Sequence, residues 1–270
     1  METVPIESTP STCTIDGMNR TPTLHVVESA AEIASFAADF VVKRAQAAVA
    51  ERGRFVVALA GGGTPKPVYE QLASPERAGA VDWDRVHVFF GDERCVPPAD
   101  EQSNFRMARE ALLERVPLPE SNIHRILGEV DPEIAAVTCE QQLRRLFRCE
   151  RPSIDLVLLG VGGDGHTASL FPGTAAVRER ERLVVAQYVD KMRSWRVTFT
   201  PVLLDAAREV LFLAEGSGKA DVIREILLGA YQPDVLPSQR VQPHAGHVHW
   251  CLDRAAATGV RETFSSPARS

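Results

Sequence analysis

Asp164 and His166 stand two residues apart in the run Gly160-Val-Gly-Gly-Asp-Gly-His166. A carboxylate at that spacing on a glycine-rich turn can orient an imidazole and hold it as the neutral base that accepts a proton near pH 7. A second kind of chemistry is written into Gly61-Gly62-Gly63-Thr64, which precedes Pro65. Bare glycine amides can crowd around an anion, a helix opening at proline adds partial positive charge, and the Thr64 hydroxyl is a further donor. Lys219 closes the run Gly216-Ser-Gly-Lys219 at the head of a helical pattern. A cation in a first turn is unfavourable beside the helix dipole unless an anion is bound, and phosphate resolves that conflict. Gly91-Asp-Glu-Arg94 offers two acids and an arginine. A salt-bridged turn would use all three structurally; the functional reading has Arg94 facing substrate, with Asp92 fixing it or binding sugar hydroxyls. Arg196 lies inside the apolar run from Trp195 to Phe199 and would be costly to bury without an anion, which makes it a second phosphate candidate.

Other chemistries fit less well. Gly160 to Gly165 spells GxGxxG, but Asp164 would place a carboxylate beside the amides that a pyrophosphate needs, and Pro172 arrives before a long helix can form. No GxxxxGK[ST] phosphate loop and no G-x-S-x-G elbow occurs, so neither a nucleoside triphosphate nor a serine acyl-enzyme is indicated. His244, His247, His249 and Cys251 alternate like a strand yet lack carboxylate or CxxC partners at the usual spacings. They read as an edge strand with polar residues, and no metal is expected.

These residues need a scaffold that brings distant loops together. Short apolar runs at 55–60, 86–90, 154–159, 183–186, 195–199 and 210–214 alternate with helical patterns near 103–115, 132–149 and 217–228. An earlier helix begins at Ser29 with a capping box to Glu32 and stops at Gly53. Alternating strands and helices predict an α/β fold, a single domain with a mostly parallel sheet and helices on both faces. Ligands in such sheets bind beyond the carboxyl ends of the strands, and the four loops above follow four of the runs. The chain divides into a flexible N-terminal tail (1–22), the α/β domain (23–257) and a C-terminal tail (258–270). With 270 residues, 44% of them apolar, there is ample material for a core, and a net charge of −6 argues against a broad nucleic-acid surface. No apolar run approaches a membrane span, no secretory signal is visible, and the five cysteines are scattered as expected of reduced thiols, so a cytoplasmic location is expected.

Taken together, Ala60-Gly-Gly-Gly-Thr-Pro65, Phe90-Gly-Asp-Glu-Arg-Cys-Val-Pro97 with Ser103-Asn104, Gly160 through Gly173, Arg196-Val-Thr-Phe-Thr200 and Gly216-Ser-Gly-Lys219 resemble the glucosamine-6-phosphate isomerase/6-phosphogluconolactonase family. The match runs in order from about Val26 to Ala257. Deaminases of that group typically carry a glutamate in a Phe-Asn-Glu-Pro context after Asp-Gly-His; here the segment reads Ser169-Leu-Phe-Pro172, which points to the lactonase branch. The resemblance implies a Rossmann-like sheet. It also implies hydrolysis of 6-phospho-D-glucono-1,5-lactone to 6-phosphogluconate in the oxidative pentose phosphate pathway, with no metal or organic cofactor. In the mechanism expected for that reaction His166 is the general base on water, Asp164 orients it, and Arg94 stabilises the oxyanion or polarises the lactone carbonyl. Gly62, Gly63, Thr64, Arg196 and Lys219 would hold phosphate, with Asp92 and Asn104 as further substrate contacts. A strained lactone needs no enzymic nucleophile, since an oriented water and charge stabilisation suffice. The expected partner is a small sugar-phosphate lactone, with no nucleic acid, membrane or obligate protein partner. A deaminase or isomerase of the same fold is one rival, told apart by ammonia release. A non-catalytic sugar-phosphate sensor is another, although the short N-terminal tail leaves no room for a helix-turn-helix.

Overall fold

The computed structural model describes the backbone of residues 2–5 and residues 22–260 in full. Its strands in chain order are β1 (Glu2–Pro5), β2 (Thr23–Val27), β3 (Phe55–Leu59), β4 (Val86–Phe90), β5 (Asp92–Arg94), β6 (Leu156–Gly160), β7 (Val184–Val189), β8 (Ser194–Phe199), β9 (Glu209–Ala214) and β10 (His247–Asp253). Its helices are α1 (Ala30–Arg52), α2 (Pro65–Leu72), α3 (Pro75–Ala78), α4 (Asn104–Ala108), α5 (Pro132–Phe147), α6 (Pro201–Leu204) and α7 (Ala220–Leu228). The main sheet runs β1-β2-β10-β9-β6-β3-β4, and every pairing is parallel except that of the edge strand β1 with β2. The five residues of β3 are all buried, as befits a strand covered on both faces.

α1 starts where Ser29 Oγ accepts from the Glu32 amide and ends at Gly53, left-handed at φ 73°, whose N–H donates to Val49 O. Glu32 reaches back to the Glu28 amide rather than to that of Ser29, so the box is closed one residue early. α1 lies against β2, β3 and β10. On the opposite face of the sheet, Ile226 and Leu227 of α7 share a cavity wall with the stacked rings of Phe212 and Trp250.

The runs at 183–186 and 195–199 do not join the main sheet; they form β7 and β8 of a separate antiparallel sheet ordered β5-β8-β7, backed by α5. Residues 190–193 connect them, and a link that short can join only antiparallel neighbours. β10 is not an edge but an interior strand between β2 and β9. Its His249 is buried because His25 Nε2 and Glu209 Oε2 satisfy its ring nitrogens at 3.1 and 2.7 Å, with Phe36 and Phe40 packed around the pair. The helix expected at 103–115 is α4 followed by one π turn, Arg109–Leu113. Of the expected tails, residues 6–21 and 261–270 lie outside the described residues, residues 2–5 pair as β1, and Val260 is fully buried in the core. The four cysteines among the described residues are free thiols.

Candidate active site

The sheet order places β9, β6, β3 and β4 side by side and parallel, so the four loops that follow them leave one edge of the sheet together. The loop after β3 is set by Tyr69 of α2, whose hydroxyl donates to Ala60 O at 2.7 Å from a fully buried position. Gly61 then passes so close to Asn104 that a Cβ there would stand 1.8 Å from Asn104 Oδ1. Gly62 turns at φ 103°, and the Thr64 hydroxyl donates to Glu215 Oε1 at 2.9 Å, tying this loop to the one after β9.

Beyond β4, Glu93 is buried and organises the start of α4. Its carboxylate accepts the amides of Arg94, Asn104 and Phe105 at 2.8 Å each and the Ser103 hydroxyl at 3.1 Å. Burial pushes its carboxyl up, against the pull of those amides. Asp92 accepts from Ser169 Oγ at 2.6 Å and from Asn104 Nδ2 at 3.1 Å. Arg94 hydrogen-bonds Gln102 O and stands directly opposite Arg196 in the β5–β8 ladder. Arg196 is buried, its Nη1 has no hydrogen-bond partner, and burial and the facing Arg94 push its guanidinium below the ordinary value. Two cations held face to face, with no salt bridge to either among the described residues, make a site that favours an anion.

The loop after β6 folds on itself through the Gly162 amide, which donates to His166 O, and the Gly165 amide, which donates to Gly162 O. A Cβ on Gly162 would fall 2.0 Å from His166 Nδ1, so this close approach of backbone to imidazole requires glycine. His166 Nδ1 meets Asp164 Oδ1 at 2.5 Å, and the ring stacks on Phe171 at 4.2 Å between centroids. Burial alone would raise Asp164, but hydrogen bonds from Lys191 and His166 outweigh it and hold the carboxyl well below the usual range. The Lys219 ammonium, at the head of α7, lies 4.0 Å from the Cβ position of Gly163 and so joins the same cluster. Among the described residues it makes no salt bridge.

The model of the family Glucosamine-6-phosphate isomerases/6-phosphogluconolactonase matches residues 28–250. A Synechocystis 6-phosphogluconolactonase is 43% identical over 82% of this chain and 91% of its own. The human 6-phosphogluconolactonase is 40% identical over 87% and 92%. The chain belongs to this family. The solved 6-phosphogluconolactonase of Trypanosoma cruzi superposes with a TM-score of 0.80 at 31% identity, covering 91% of this chain and 99% of that one. A monomeric glucosamine-6-phosphate deaminase, 23% identical at a TM-score of 0.73, shares the fold.

Within this member of the family, Gly62, Gly63, Thr64, Asp164, His166 and Lys219 lie on the loops and turns after β3, β6 and β9, whereas Asp92 and Arg94 lie on β5, Arg196 on β8 and Asn104 at the start of α4, with different degrees of access. Asp164, His166 and Lys219 are part-exposed, and Gly63 is open. Asn104 is buried with its amide directed at Asp92, and Thr64 is turned to Glu215, so both hold loops in place. Sequence reasoning passed over Ser169, Glu215, Lys191 and Gln187, whose side-chain amide donates to Ser169 O. Ser169 and Asp92 are 77 positions apart, and no local pattern links them. Lys191 did carry a signal, as one of only four lysines in the chain.

Proposed function

We propose that this protein hydrolyses 6-phospho-D-glucono-1,5-lactone to 6-phosphogluconate. The observation that carries the reading is Phe171. Where the deaminase pattern has its glutamate, an apolar ring lies flat on His166, leaving a histidine–aspartate pair without the extra carboxylate. The identity to relatives named 6-phosphogluconolactonase supports the same choice.

In this mechanism His166 is held through Nδ1 by Asp164, which leaves Nε2 to take a proton from water as the water attacks the lactone carbonyl. The charge that develops on the carbonyl oxygen is met by Arg94. The imidazolium returns its proton to the ring oxygen as the C–O bond breaks, and the product leaves as hydroxy acid. The phosphate is bound by Arg196, Lys219 and the Gly62–Gly63 backbone, and Asp92 takes sugar hydroxyls. All of this is acid–base and electrostatic work on an already strained ester, which this chain's own side chains supply. No helix among the described residues is long and apolar enough to cross a membrane, and a cytoplasmic setting fits a sugar-phosphate substrate.

The test is hydrolysis of freshly made lactone, read by coupled oxidation of 6-phosphogluconate, with the spontaneous rate subtracted. The wild-type protein should accelerate it, and His166→Ala should lose about 10²–10⁴-fold in kcat. Full activity in His166→Ala would remove the base assignment, and no acceleration by the wild type would remove the lactonase reading. Ammonia release from glucosamine 6-phosphate would restore the deaminase.

A further inference from the structure

The turn between β7 and β8 reaches back into the site. Residues Asp190–Met192 make a single 3-10 turn, closed where the Arg193 amide donates to Asp190 O at 3.1 Å, with Arg193 left-handed at φ 49°. From that turn Lys191 Nζ donates to Asp164 Oδ2 at 2.8 Å, while Oδ1 of the same carboxylate meets His166 Nδ1. We propose that Lys191 is a positioning residue of the hydrolysis: it divides the Asp164 carboxylate between itself and His166, and so keeps the imidazole in its proton-accepting form at lower pH. The inference rests on the lactonase reading and concerns the same site.

The contact does little for folding, since the Lys191 side chain is 69% exposed and such pairs are weak. Its effect on the imidazole is another matter. A carboxylate by itself stabilises imidazolium, which is the form that cannot act as base. A cation on the other carboxylate oxygen offsets part of that attraction while leaving the hydrogen bond that orients the ring. The charged groups facing the pair come from three elements. They are Asp164 on its own loop, Lys191 on the β7–β8 turn, and Lys219 ahead of α7, near Gly163. Asp190 and Arg193 share the turn with Lys191. Phe171 on the ring and Leu236 against Gly165 are apolar. A bound phosphate neutralises Lys219 in the substrate complex, which leaves Lys191 as the cation acting on Asp164. The depressed Asp164 carboxyl agrees with this arrangement.

The test compares kcat/KM from about pH 5 to 8 in wild type, Lys191→Met, Lys191→Arg and the neighbouring turn variant Met192→Ala. In Lys191→Met the acid limb should move up by about 0.5–1 unit. That is about a 3–10-fold loss near pH 6, with the rate near pH 8 within about 2-fold of wild type. Lys191→Arg and Met192→Ala should follow wild type, and added salt should shrink the shift. An unmoved limb, an equal loss at every pH, or a rise in KM alone would overturn the proposal; the last would make Lys191 a substrate contact. NMR titration of the His166 imidazole in the same variants reads the same shift without turnover. A wild type inactive on lactone thus sinks the functional reading, whereas an active wild type with an unmoved limb and unmoved titration sinks only the role of Lys191.

Discussion

At Arg196 the proposed phosphate contact and the stability of the fold stand in opposition within one side chain. It is 5% exposed, faces Arg94 across the ladder, and leaves Nη1 without a hydrogen bond. Asn104 Oδ1 and the neighbouring Gln187 Oε1 are likewise buried without partners, so unmatched polar capacity gathers here. A buried ion that lacks its counterion is a cost to folding which a bound phosphate offsets. Arg196→Met should therefore raise KM for the lactone by at least about 10-fold while leaving Tm unchanged or higher. Saturating inorganic phosphate should raise the Tm of the wild type and have a smaller effect on the variant. Steady-state kinetics and thermal unfolding on the same two proteins check both signs. A lower Tm in Arg196→Met, with KM unchanged, would make the arginine a packing residue.

The loops are the elements on which the site depends, and the one after β6 has the least room for change. Gly162→Ala would drive a methyl group into the imidazole, 2.0 Å from Nδ1, so kcat should fall by about 10²-fold. The strand before it is untouched, and Tm should move by no more than a few degrees; stopped assays and a melting curve decide it. Much of this loop was legible in the sequence because its partners are local: Asp164 and His166 are two residues apart, and the glycines that allow the turn lie between and before them. The meeting of four loops was legible as well, since parallel strands put successive carboxyl ends on one edge. What stayed hidden depends on long-range pairing. Lys191 is 27 positions from the Asp164 it holds, and Thr64 is 151 from Glu215. The runs at 183–186 and 195–199 carry the same apolar pattern whichever sheet they join, and only the length of the link between them sets them apart. The alternating polar residues of β10 read as an edge strand, whereas His25 and Glu209, contributed by two other strands, satisfy His249 inside the molecule.

At the scale of the whole molecule, a chain with net charge −6 sets Arg94 and Arg196 face to face across the β5–β8 ladder and Lys219 beside Gly163, so the proposed phosphorylated substrate would meet local attraction on an otherwise repelling body. The same interior sets an acid limit on stability. Burial, with His249 and Arg44 nearby, lowers His25 to about 4, and burial beside His87 lowers His124 to about 4. An unfolded histidine titrates near about 6.5, so between there and pH 4 the unfolded chain binds protons that the folded protein refuses. Their contribution is complete above about pH 6.5 and is lost as pH falls toward 4. Urea midpoints should drop over that window, and more gently in His25→Gln; parallel curves for the two proteins would count against it. β2 is made early, but its parallel neighbour β10 is the last strand among the described residues, and β10 alone joins β2 to β9. Until residue 253 has left the ribosome, both β2 and β9 present open hydrogen-bonding edges, so the nascent chain is adhesive over most of its length and the sheet, with the loops it aligns, closes in one late event.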